Sequence, residues 1–181
     1  MAVLPLVIAP DKRLNIASKD VEVVDDAIRQ LLDDMLETMY ANDGIGLAAV
    51  QVGVHKRCIV VDIARRDGSY HPMKFVNAKI VKKDPEPSVY TEGCLSFPDQ
   101  FSEVTRPKGV TVRYLDEHGA PQEITADGLL ATCLQHEIDH TDGIVFVDHI
   151  SLLKRDMIIR KLKKAKKMGL LHELPEAKAV L

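Results

Sequence analysis

The stretch from Gly128 to Thr141 restricts the fold more than any other part of the chain. Leu129, Leu130, Leu134 and Ile138 recur at helical spacing, and Gly143 closes the segment. The same helix carries His136, Glu137 and His140. A spacing of four sets both imidazoles on one face, one turn apart. The leucines make the helix substantially buried, and buried polar groups need partners. One metal ion satisfies both imidazoles, and Glu137 then stands where a carboxylate reaches a metal-activated water. Such a metal makes water a nucleophile near neutral pH, and the glutamate can take its proton and pass it on. By residue usage the bare pattern arises by chance in on the order of one chain in a few hundred. It therefore favours metal-dependent hydrolysis without settling it.

A catalytic site of this kind takes three protein ligands and leaves a position open. In the extension H-E-x-x-H-x-x-G-x-x-H, Gly143 fits the glycine but Phe146 stands where the last histidine belongs, which excludes that class. Asp148 and His149 remain available downstream. Cys133 lies close to the histidine face, although a small packed side chain is its simpler reading. Cys94, in Glu92-Gly93-Cys94-Leu95-Ser96-Phe97-Pro98, has the best context: glycine admits close backbone approach, and Pro98 stiffens the exit. Alone, that segment reads as a loop with a buried cysteine. Cys58 sits in a β-type run and belongs to the core.

The rest of the chain frames this helix. A 181-residue chain suits one domain with one core, assigned here to residues 1–168, with a loosely ordered tail over 169–181. Helical spacing covers Val21 to Tyr40, and a basic helix covers Leu152 to Met168. Arg57–Ile63 and Lys74–Val81 are rich in branched residues. Val110–Leu115 and the run around Ile124 flank a turn and form an antiparallel hairpin. Helix, strands, then helices predict an α+β domain: antiparallel sheets packed around the central metal-binding helix, with an N-terminal and a C-terminal helix. No apolar run approaches the ~20 residues of a membrane span. An odd set of three cysteines does not form a disulfide framework and fits a reducing cytoplasm.

Gly44-Ile45-Gly46-Leu47-Ala48-Ala49 matches a dinucleotide fingerprint, but that requires a strand before it and a helix after it. Here the order is reversed, so nucleotide binding is rejected. What remains is a small-residue strand with accessible backbone. Gln51 follows; its amide suits a developing oxyanion, though taken alone it reads as a surface glutamine.

Three segments in this order, GIGLAAVQ (Gly44–Gln51), EGCLS (Glu92–Ser96) and QHEIDH (Gln135–His140), resemble the peptide deformylase family, with similarity running from about Leu4 to Met168. The resemblance implies that Cys94, His136 and His140 bind the metal and that Glu137 is general base and acid. It implies that Gln51 and the backbone N–H of Leu95 stabilise the oxyanion. Backbone of Ile45, Gly46 and Gly93 would pair with the substrate, and Leu129 and Cys133 would line the methionine pocket. The implied reaction removes formyl from the N-terminal methionine of new polypeptides, in the cytoplasm, with no membrane or DNA partner. The metal is commonly Fe2+, with Zn2+, Ni2+ or Co2+ as substitutes. Thr141, Thr132 and Phe101 depart from the pattern, which uses leucine, a larger apolar residue and arginine respectively; these departures bear on the pocket rim.

Ser151–Met168 holds eight bases and one acid (8 − 1 = +7), so the remainder of a chain of net charge −3 carries −3 − 7 = −10. That asymmetry suits ribosome docking. The competing reading is a solvated face with Leu152, Leu153, Ile158, Ile159 and Leu162 packed inward. Two other functions fit the helix motif. A metallopeptidase would cut unblocked peptides, and a non-catalytic docking module would close its metal with a fourth ligand.

Overall fold

A computed structural model describes residues 2–171; the tail expected over 169–181 lies outside the described residues from 172 onward. The elements are α1 (Asp26–Ala41), β1 (Gly46–Ala48), β2 (Cys58–Val61), β3 (Met73–Lys83), β4 (Pro87–Cys94), β5 (Phe97–Pro107), β6 (Gly109–Leu115), β7 (Pro121–Asp127), α2 (Gly128–Thr141) and α3 (Leu152–Lys167). A five-stranded sheet has the order β1-β2-β3-β6-β7, and β4 and β5 form a separate two-stranded hairpin. All strand pairings are antiparallel. The architecture is the α+β arrangement expected.

Strand alternation sorts the core. In β2, Ile59 and Val61 face one apolar cluster, while Cys58 and Val60 face another. The first cluster is filled by Ala131, Cys133, Leu134 and Ile138 of α2, the second by Ile28, Leu32, Met35 and Met39 of α1. A helix thus covers each face of the sheet, which is why β2 reads as a continuous apolar run. A bulge in β3 resets the alternation at Asn77, whose φ is 54°. A third cluster lies at the hairpin, where Phe97 and Val104 meet Phe146, Ile158 and Leu162. Helix α2 therefore sits centrally, touching both the five-stranded sheet and the hairpin.

Three boundaries differ from expectation. Helix α1 begins at Asp26, not near Val21, because Asp25 caps it by accepting the Ile28 N–H at 2.9 Å. Val21 is extended and pinned by the Asn77 amide, which accepts its N–H at 2.7 Å and donates to its carbonyl at 2.8 Å. The segment around Cys94 is not a simple loop: Glu92 to Cys94 end a long strand paired with β5. Finally, Leu152 and Leu153 of α3 do not pack inward, being 74% and 73% exposed, whereas Ile158 and Leu162 are buried.

Candidate metal centre and substrate groove

Helix α2 buries an unusual load of polar side chains: Thr132, Gln135, His136, Glu137, His140 and Thr141. Several are satisfied locally. Thr132 and Thr141 hydroxyls donate to the Gly128 and Ile138 carbonyls at 3.1 and 2.7 Å. Gln135 donates to the Pro107 and Ala131 carbonyls, tying α2 to the end of β5. His136, Glu137 and His140 require something else.

The ligand atoms of Cys94, His136 and His140 lie within 4.8 Å of one another, the one such cluster among the described residues. Cys94 comes from the end of β4, so the site joins the hairpin to the central helix. Its Sγ is 3.3 Å from His140 Nε2. His136 Nδ1 lies 2.9 Å from Glu92 Oε2, which turns its Nε2 toward the cluster. The His136 ring also stacks on Phe146, at a centroid distance of 6.2 Å and an interplanar angle of 21°. Phe146, which excluded the three-histidine class, is thus a packing wall behind the first ligand. Asp148 and His149 are not ligands: Asp148 accepts the Val145 N–H at 3.0 Å, and His149 Nε2 meets Asp139 Oδ2 at 2.7 Å.

The donor set fits a divalent cation. Burial drives the pKa of His140 well below its ordinary value, aided by neighbouring His136, so it is a neutral ligand. Burial opposes charge on His136 too, but its hydrogen bonds with Cys94 and Glu92 outweigh burial and hold its pKa well up. This environment favours positive charge, which a metal supplies in place of a proton. Glu137 Oε2 is buried without a hydrogen-bond partner in the protein. Burial chiefly, opposed by His136 and reinforced by Glu92, raises the Glu137 pKa to about 7. These residues form a metal-binding site of one thiol and two imidazoles.

Behind His136 lies a network that motif reading missed. Arg106 donates to both oxygens of Glu92 at 2.6 and 3.0 Å and to Asp139 at 2.7 Å. Arg106 and Glu92 are each about 5% exposed, so neither charge would be tolerated alone. Each carboxylate has its pKa lowered: burial works against this, and the hydrogen bonds of His136 and Arg106 to Glu92, and of His149 with the Arg106 charge to Asp139, overcome it. One signal was available. Glu92 and Cys94 are two apart on a strand, hence on one face.

Gln51 is buried at 1% exposure, not on the surface. Its Oε1 accepts the Ala48 N–H at 2.8 Å, and its Nε2 lies 3.4 Å from Cys94 Sγ and 3.2 Å from Ser96 Oγ. The carbonyl end is anchored, so the amide N–H group points at the cluster. A groove of about 760 Å³ opens over these atoms. Ile45 and Gly46 of the first strand region form one wall, Gly93 and Leu95 the other, and Leu129, Cys133, His136 and Glu137 the floor. Strand β1 is an edge strand, so its outer flank faces this groove. Gly46 leaves no room for a side chain unless Glu137 or Cys133 moves: a Cβ there would meet Glu137 Oε1 and lie 2.8 Å from Cys133 Sγ. Cys58 is core, with burial pushing its thiol pKa up to about 12.

A His-Glu-x-x-His helix and a third ligand from a strand together define a metal-dependent hydrolase. Residues 3–156 match the family described as polypeptide deformylase. The chain is 54% identical over 167 residues to the peptide deformylase of Rhizobium meliloti (strain 1021), covering 92% of this chain and 96% of that protein. It is 53% identical to that of Agrobacterium fabrum (strain C58 / ATCC 33970), covering 91% and 97%. Among solved structures, peptide deformylase from Ehrlichia chaffeensis in complex with actinonin gives a TM-score of 0.88 at 48% identity, covering 92% and 99%. The Legionella pneumophila peptide deformylase gives 0.86 at 44%, covering 93% and 98%. The chain belongs to the peptide deformylase family.

Proposed function

We propose that this enzyme removes the formyl group from the N-terminal methionine of newly made polypeptides, releasing formate. The observation that carries the reading is the convergence, beside one edge strand, of Cys94, His136 and His140 with the buried carboxylate of Glu137. A divalent cation held by the three ligands supplies Lewis acidity and lets water ionise near neutral pH. Glu137 takes the proton of the attacking water and delivers it to the leaving amine. Gln51 Nε2 and the Leu95 N–H donate to the formyl oxygen as it gains negative charge on attack at the formyl carbon. Ile45, Gly46 and Gly93 pair through their backbone with the peptide as an added strand. Leu129 and Cys133 receive the methionine side chain. Fe2+ is proposed as the native ion, with Zn2+, Ni2+ or Co2+ able to replace it, since thiolate and imidazole suit all of them.

Formate release from formyl-Met-Ala-Ser, with none from acetyl-Met-Ala-Ser or the unblocked peptide, is the expected result. Cleavage of the unblocked peptide would replace this reading with a metallopeptidase. Metal analysis of anaerobically purified enzyme tests the assignment of iron.

Docking to ribosomes through α3 is a second proposal. No described helix is long and apolar enough to cross a membrane, yet α3 exposes Leu152, Leu153 and Met157 beside its lysines and arginines. Basic charge and exposed apolar side chains together suit an RNA–protein surface. Salt-dependent cosedimentation with ribosomes, lost on truncation after Ile150, is expected. Unchanged binding after truncation would end the proposal.

A further inference from the structure

The Gln51 amide must stay aimed at the metal cluster, and a glutamine side chain does not do this unaided. Its terminal torsion is broad and roughly two-fold, with no staggered well to fix it. Exchanging its oxygen and nitrogen would set a lone pair where negative charge develops. The Ala48 N–H decides the end, because Oε1 must accept it at 2.8 Å. That leaves the two N–H groups of Nε2 to be placed. Ser96 Oγ lies 3.2 Å from Nε2 and takes one of them. The other leans on Cys94 Sγ at 3.4 Å, a long contact that a developing oxyanion can take over.

Ser96 is fully buried and is itself fixed from behind. Its carbonyl accepts the Ala9 N–H at 2.8 Å, and the Gln51 carbonyl accepts the Val7 N–H at 2.7 Å. One N-terminal segment thus clips together two residues that are 45 positions apart in the chain. Val7 and Ala9 are buried in the cluster that also holds Phe97, the residue after Ser96. The backbone around Ser96 therefore has little freedom to drift from Gln51.

We propose that Ser96 is a positioning residue for the reaction: its Oγ holds one Gln51 N–H so that the other stays directed at the formyl oxygen. Ser96 does not line the groove, and it acts through Gln51. Without its hydroxyl, a buried N–H loses its acceptor, which is costly where water is excluded. The amide then turns toward Cys94 Sγ, the acceptor that is left, and away from the reacting oxygen. The inference deepens the deformylase reading and rests on it.

The test measures kcat and KM for formyl-Met-Ala-Ser in wild type, S96A, Q51A and the double variant. Each is loaded with Ni2+ and its metal content checked by elemental analysis. Q51A should lose about 10²–10³-fold in kcat. S96A should lose roughly tenfold to hundredfold in kcat, with KM little changed and metal stoichiometric. Added to Q51A, the S96A substitution should cost almost nothing further, because the group it positions is gone. S96C fills nearly the same volume with a weaker acceptor. It should behave like S96A, and it carries the comparison if alanine leaves the fold loose. Wild-type kcat in S96A or S96C would overturn the role of Ser96. So would losses that multiply in full in the double variant, or metal missing from both S96A and S96C. Each of these results leaves the deformylase reading intact. No formate from the wild-type enzyme would overturn both.

Discussion

Helices α2 and α3 break the usual inside–outside rule in opposite directions. Helix α2 buries two imidazoles, a carboxylate and three further polar side chains, while α3 leaves Leu152, Leu153 and Met157 in solvent. Both departures cost stability, and neither is needed to make a helix. The difference lies in how the cost is offset. In α2 nearly every polar group has a partner, and the exceptions, Glu137 Oε2 and His140 Nδ1, cluster at the metal centre. In α3, Leu152, Leu153 and Met157 are left largely uncovered by the described chain. A helix that buries partnered polar groups marks the active site; the exposed apolar side chains of α3 are what the docking proposal rests on.

The largest effects should come from the α2 side of this contrast. Cys94→Ala removes one of three ligands, and activity should fall to background, with metal content well below stoichiometric by elemental analysis. Stoichiometric metal in that variant would show that the site closes without its strand-borne ligand. Glu137→Gln keeps shape and removes the proton acceptor. Formate release should drop about 10²–10⁴-fold with metal retained. A variant that binds metal and keeps full turnover would make α2 a structural rather than a catalytic helix.

Next in size are the groups that hold the ligands. Glu92→Gln leaves the hydrogen bond to His136 possible but removes the charge that Arg106 answers. Metal affinity or activity should fall roughly 10–100-fold, read by competition with a chelator. Arg106→Ala strands two carboxylates and should cost about 3–5 kcal/mol in denaturant unfolding. If Arg106→Ala unfolds like wild type, the buried network is not what holds α2 against the hairpin.

That network also shows where sequence reasoning stops. Cys94, His136 and His140 were legible because ligand chemistry ties residue types to spacing, and the helix is strongly periodic. Strands β2, β3 and β6 were legible from their branched runs. Strands β4 and β5 were not: residues 87–91 alternate exposed and half-buried, the buried residue that follows is the charged Glu92, and Phe101 is open to solvent, so no apolar signal marks them. Arg106 reaches Glu92 across 14 positions and Asp139 across 33, a convergence that no local pattern encodes. Gln51 looked like a surface residue because its burial depends on β1 and the Cys94 turn closing over it. The Val21 start of α1 failed because Asn77, distant in sequence, holds Val21 extended.

The smallest expected effect sharpens the other half of the contrast. On α3, Leu162 is buried against the hairpin cluster and Leu153 is not. Leu162→Ala should cost roughly 2–5 kcal/mol and lower Tm by about 4–20 °C. A Leu152→Ser, Leu153→Ser pair should stay within about 0.5 kcal/mol of wild type, with formate release from short peptides unchanged. Ribosome cosedimentation of the double variant should weaken and become more salt-sensitive, because charge alone then carries the contact. A Tm loss matching that of Leu162→Ala would mean the open leucines pack within the protein. They would then offer nothing to a partner, and the contrast between the two helices would collapse to one of degree.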